Sequence, residues 1–332
     1  MNLNIFYDPN YWLNDRKIYS KNIFQSSLFN VYYKYLYRYN IPLNSNFVRS
    51  GPQKLVNNIL EGLNGLENVV FNDEIYDNNY FVTYQKKDSD NLINILNKAK
   101  KVVVGPLYNI ESYLELASLS NNYDNLKIVV ASTPAKKTML KISNFKIDES
   151  KLLILPVGVD SEENILKNGD KQLNDNHKCL IYFKGRTDEE LNVVVKRLDN
   201  DKTKYKIFQY GAYKNSKLID YAKTAKFAII LGRTESQGIA INKLMSMNVP
   251  LFVLDATINN YEGLDFAGTT VPYWSKECGI RIKNFDNFHE EYDKFKVNLE
   301  NNYFYPYKYA SKELSYEAMY KNLKNIFKNT FS

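Results

Sequence analysis

The sequence has little of what side-chain catalysis most often uses. Of its 332 residues, two are cysteine and two are histidine. Two cysteines, Cys179 and Cys278, exclude a disulfide framework and a cysteine-built metal site. Cys179 falls in an apolar run, where a small buried hydrophobe fits. His177 and His289 lie in polar stretches, and neither is placed as a catalytic base. No run approaches about 18 consecutive apolar residues, so no membrane span is expected. Residues 1–8 carry neither a basic n-region nor a long apolar h-region, and the expected location is cytoplasmic. No five basic residues stand together, so nucleic acid is not the expected partner.

What is present is ordinary for a globular chain: 44% hydrophobic and 24% charged residues. At roughly 150 residues per domain, the length predicts two domains, each with its own core. The formal net charge of +7 is modest and suits an anionic ligand or an acidic acceptor.

Short apolar runs alternate with helix-period patterns. Strands are expected at 3–7, 69–71, 80–84, 102–104, 127–131 and 152–155. Helical patterns cover 16–39, 55–63, 92–99, 110–118 and 135–142. Such alternation implies a parallel sheet covered on both faces. A second series starts with a strand at 179–183 and continues with strands at 206–209, 227–231 and 249–254. Helices are expected at 218–225, 238–247, 288–298 and 311–327, the last two separated by Tyr305-Pro306-Tyr307. The fold class is therefore α/β.

The central stretch is the turn after the apolar run 227–231. Glu235, Ser236 and Gln237 supply a carboxylate, a hydroxyl and an amide. A helix then opens with Gly238, Ile239 and Ala240, compact enough for a phosphate to approach free backbone N–H groups. The same residues also suit the capping of an ordinary helix.

Glu235-Ser236-Gln237-Gly238-Ile239-Ala240, followed by Met245-Ser246-Met247-Asn248-Val249-Pro250, resembles the donor-sugar motif of retaining glycosyltransferases with the two-domain GT-B fold, those like glycosyltransferase family 4. Leu155-Pro156-Val157-Gly158-Val159-Asp160 resembles the segment by which such chains pass between domains. Tyr182-Phe183-Lys184, Glu235-Ser236-Gln237-Gly238 and the segment Gly268 to Trp274 with Glu277-Cys278-Gly279 resemble a giant-virus and bacterial group of GT-B-like proteins.

The resemblance implies two Rossmann-like domains facing a cleft: 1–157 on the acceptor side, 158–305 binding a nucleotide sugar, and a C-terminal helix within 306–332 crossing back to the first domain. It implies sugar transfer from a UDP- or GDP-sugar to an acceptor hydroxyl of a glycan, protein or small molecule, with retention, without metal and without a separate cofactor. Glu235 would hold the sugar, and Lys184 and Arg186 the diphosphate. Gly51, in a Gly-Pro turn before a helix, would face the donor. Ser236, Gln237, Gly238, Ile239 and Ala240 would line the donor site, and Tyr213 would stack on the base, with Tyr210 the other candidate.

Two positions depart from the family pattern. Leu191 stands where the family often has a lysine after its arginine. Lys243 replaces the second glutamate, eight residues beyond Glu235, that would meet the ribose; as a donor-site residue it would instead donate to a hydroxyl oxygen or contact phosphate. Lys243 leaves open a catalytically inactive scaffold that binds rather than turns over, and the positive charge leaves open a DNA-modifying glycosyltransferase.

Overall fold

The computed structural model describes residues 2–7, 51–84, 88–108, 112–144, 146–160, 178–261 and 263–331. The helix expected over 16–39, the residues just before Gly51, and His177 lie outside these. The chain divides into two compact units, 1–158 with 319–332, and 159–318.

The first unit is built on a six-stranded parallel sheet, order β2-β1-β3-β4-β5-β6. Its strands are β1 (Leu3–Phe6), β2 (Val69–Phe71), β3 (Asn78–Tyr84), β4 (Lys101–Tyr108), β5 (Leu126–Val130) and β6 (Leu152–Ile154). Helices α1 (Gly51–Leu63), α2 (Ser89–Lys98), α3 (Ser112–Asn122) and α4 (Thr133–Ile142) connect them. β5 is buried at every residue, as an apolar strand covered on both faces must be. α4 starts where Ser132 accepts from the Ala135 N–H and Pro134 takes an early helical position that needs no donor.

The second unit carries a five-stranded parallel sheet, order β13-β10-β9-β7-β8. These are β7 (Lys178–Phe183), β8 (Lys204–Gln209), β9 (Phe227–Leu231), β10 (Leu251–Leu254) and β13 (Gly279–Ile282). Side chains alternate between its faces. Leu180, Tyr182, Ala228, Ile230, Leu251 and Val253 pack with Leu218 of α6 (Asn215–Ala222), Leu244 of α7 (Ile239–Ser246) and Ala310 of α9 (Pro306–Glu313). Cys179, Ile181, Phe227, Ile229 and Phe252 pack on the other face with Val194 and Leu198 of α5 (Asp188–Asn200) and with Phe288, Tyr292 and Phe295 of α8 (Phe288–Glu300). A separate antiparallel hairpin joins β11 (Ile258–Tyr261) to β12 (Leu264–Ala267).

Two expectations need correction. The helix expected over 311–327 is two helices, α9 and α10 (Tyr316–Asn329). The break comes where the Leu314 carbonyl accepts from the Val159 N–H at 2.8 Å and Ser315 pairs with Val159 as an isolated parallel bridge. Ser315 Oγ then accepts from the Ala318 N–H. The segment 306–318 also stays with the second unit, because Ala310 and Leu314 are in its core. From Met319 onward the chain belongs to the first unit. There Met319, Leu323 and Phe327 are buried at helical spacing, and the Phe327 carbonyl accepts from Lys101 at 2.7 Å.

Besides the edge strand β13, two further features of the second unit went unforeseen. α5 begins with a reciprocal capping box between Thr187 and Glu190, a signal readable as Thr-x-x-Glu. The β11–β12 hairpin leaves Ile258 and Leu264 exposed and so shows no core-facing alternation.

No helix among the described residues is long and apolar enough to cross a membrane.

Candidate functional site

In an open parallel sheet, the place where strand order reverses leaves a crevice outside the carboxyl ends of the two flanking strands. In the second unit the chain passes from β7 outward to β8 and then returns to β9 on the other side, so the reversal lies between β7 and β9. Phe183 pairs with Leu231 as their last residues, and the Lys184 N–H donates to the Leu231 carbonyl at 2.8 Å. The two sequence stretches singled out above, 184–186 and 232–240, therefore emerge side by side at that reversal.

Lys184 and Glu235 meet there. Lys184 Nζ lies 2.5 Å from Glu235 Oε1, and both side chains are only about one-seventh exposed, at 14% and 15%. The ammonium also stands 4.3 Å from the centroid of the Tyr210 ring, a cation–π contact. Glu235 is fixed through its backbone, its N–H donating to the Thr269 carbonyl at 2.8 Å.

Arg186 is committed differently. Its Nε donates to the Gly232 carbonyl at 2.9 Å, Nη2 to the Leu254 carbonyl at 2.9 Å, and Nη1 to Glu190 Oε1 at 3.0 Å. Glu190 is also the residue whose other oxygen accepts from the Thr187 N–H. One guanidinium thus ties the ends of β9 and β10 to the first turn of α5. All three of its nitrogens already serve the protein, where an open diphosphate ligand had been expected.

Around this clamp the backbone is crowded. A Cβ on Gly232 would come within 2.6 Å of Thr270 Cγ2. Asp255, almost fully buried, accepts from the Thr269 hydroxyl and the Thr270 N–H and lies 3.6 Å from Arg281 Nε.

The remaining sequence candidates separate. Gly238 caps α7 with φ of 63°, the left-handed conformation glycine adopts without strain, and no side chain caps the helix. The first turn of α7 holds no acidic residue. Ile239 and Ala240 are half-buried there, and Ser236 is exposed. Gln237 is buried, its Oε1 accepting from the Tyr273 hydroxyl at 2.9 Å. Lys243 points to Asp160, donating to its carbonyl at 3.0 Å, with the carboxylate at 3.7 Å. Tyr213 is packed edge-on against Phe208 and Tyr182, with centroids at 5.6 and 6.4 Å. Burial pushes its hydroxyl pKa up to about 12. Tyr210, by contrast, has about half its surface exposed at 49%. Gly51 belongs to the first unit, as the first residue of α1.

Sequence reasoning missed Arg233. It is exposed, two residues before Glu235, with its stem lying on Gly185. No cluster of histidine, cysteine and carboxylate side chains among the described residues could hold a metal ion.

No family model matches the chain, and no curated protein matches it. The functional reading therefore rests on this geometry and on the motif.

Proposed function

We propose that the protein is a glycosyltransferase that takes a sugar from a nucleoside-diphosphate sugar and places it on an acceptor hydroxyl. The observation that carries this reading is the meeting of Lys184 and Glu235 beside the uncapped start of α7, at the reversal between β7 and β9.

A carboxylate accepts two sugar hydroxyls at once, and Glu235 holds the hexose in that way. The Lys184 ammonium orients the carboxylate through their ion pair. The backbone N–H groups of Ile239 and Ala240 meet the diphosphate. In the reaction the bond from the anomeric carbon to the diphosphate oxygen breaks, and the diphosphate leaves with the electron pair. The acceptor oxygen bonds to the anomeric carbon from the same face, and its proton passes to the departing phosphate oxygen. Positive charge aimed at the developing phosphate charge lowers the barrier.

The test is release of UDP or GDP from a panel of nucleotide sugars, with Glu235→Gln beside the wild type. Turnover is expected, with a fall of about 100-fold in the variant, the scale on which one positioned polar group contributes. Bound donor with undiminished turnover in Glu235→Gln would refute the role of Glu235, and absence of both binding and turnover would refute the function.

A second reading, an inactive scaffold that binds the donor without turnover, is favoured by one observation. Lys243 replaces a ribose-binding carboxylate and is engaged with Asp160. Binding without release of the diphosphate would select it.

A further inference from the structure

Two ion pairs and one further cation stand at the ends of β7 and β9: Lys184 with Glu235, Arg186 with Glu190, and Arg233. Lys184 is paired with Glu235, and Arg186 with Glu190 and two carbonyls. Arg233 is left over. Its side chain is exposed, and among the described residues no hydrogen bond or ion pair holds its guanidinium. It is nevertheless placed, because its aliphatic stem occupies the space a side chain at residue 185 would fill. A Cβ on Gly185 would lie 2.4 Å from Arg233 Cδ, 2.6 Å from Cγ and 2.7 Å from Nε. Gly185 also has φ of +64°, which favours glycine independently. Glycine at 185 thus gives the arginine a seat beside Lys184.

We propose that Arg233, and not Arg186, is the side-chain cation that contacts the diphosphate of the ligand, and that Gly185 is the residue that seats it. This rests on reading the site as one for a nucleoside diphosphate. A fork of N–H donors suits phosphate oxygens, and a guanidinium is weakly enough hydrated to give up water for them. Because Lys184 and Arg186 are already paired with carboxylates, Arg233 is the cation with a partner still to take. Anion binding at this site should therefore weaken with salt mainly through one residue.

The experiment measures calorimetric binding of UDP, GDP and inorganic pyrophosphate, with uridine and guanosine as phosphate-free controls. It uses the full chain and the variants Arg233→Ala, Arg233→Lys and Gly185→Ala. Arg233→Ala should weaken pyrophosphate and the bound nucleoside diphosphate by about tenfold to a hundredfold, the worth of a charged hydrogen bond. It should leave any nucleoside binding and the unfolding temperature unchanged. Arg233→Lys should recover part of the loss, and Gly185→Ala should reproduce it with the arginine still present. If Gly185→Ala does not fold, the Arg233 variants still decide.

Unchanged diphosphate binding in Arg233→Ala, or no binding of pyrophosphate and nucleoside diphosphates by the wild type, would overturn the assignment. Diphosphate bound through Arg233 without turnover of any nucleotide sugar would uphold it while the transferase reading fails. Sugar transfer by Arg233→Ala with an unaltered donor KM would do the reverse.

Discussion

The second unit contains two clusters of charge that use similar residues to different ends. Between α5 and α8, Arg197 is paired with Asp201 at 3.3 Å and with Asp293, and Lys296 with Asp201 at 2.9 Å. Two cations meet two carboxylates, and the cluster is closed. At the ends of β7 and β9, two ion pairs stand beside Arg233, which has none among the described residues, and the cluster is open. A balanced network joins helices and asks for nothing further. An unbalanced one at a strand-order reversal, next to an uncapped helix start, has a charge for a ligand to complete.

The same contrast divides neighbours within the open cluster. Lys184 and Arg186 are two residues apart, yet Arg186 spans Gly232, Leu254 and Glu190 while Lys184 touches a carboxylate and one exposed ring. Arg186→Ala should therefore cost stability first, by about 2–4 kcal/mol in urea unfolding, since it leaves two carbonyls and a partly buried carboxylate without their charged donor. A stability loss under about 1 kcal/mol, with donor binding abolished, would place Arg186 with the ligand-facing residues instead.

A smaller effect is expected where Lys184 meets Tyr210. A double-mutant cycle of Lys184→Met and Tyr210→Leu should give a coupling of about 0.5–1 kcal/mol, the range for a cation over a partly exposed ring. A coupling near zero would mean that Tyr210 does not help hold Lys184.

The closed cluster offers the smallest effect and a pH signature. Burial raises the Asp201 pKa, but the hydrogen bond and charge of Lys296, with Arg197, outweigh it and hold the carboxyl below its ordinary value. A depressed folded pKa contributes stability above the unfolded value of about 3.9 and loses it as pH falls through the folded value. Asp201→Asn should lower stability at neutral pH by about 1 kcal/mol or less and flatten the acid slope below about pH 4. An unchanged slope would assign the acid sensitivity to other carboxylates.

Several features were legible because they depend on neighbours in sequence. The run Phe227–Leu231 is a fully buried strand, and the helix starts after Gly238 as its composition indicates. Lys184 and Glu235 were each singled out from their motifs, but the ion pair between them, across 51 residues, was not legible in either. The engagement of Arg186 was not legible, since its carbonyl acceptors lie 46 and 68 residues away. Nor was the seat of Arg233, because no local pattern connects an exposed arginine to a glycine on another strand end. The hairpin Ile258–Tyr261 with Leu264–Ala267 lacked the alternation that a buried face imposes.

By itself the sequence determined the α/β class, the parallel strands and the residue types available for chemistry, since apolar runs, glycines and capping residues act over a few positions. Tertiary structure alone decided which cations are spent and which is left over. It also decided where the last helical stretch breaks, because Val159 meets Leu314 and Ser315 only after the chain has folded. Charge pairing and such long-range hydrogen bonds depend on distances across strands, and a linear order of residues does not contain those distances.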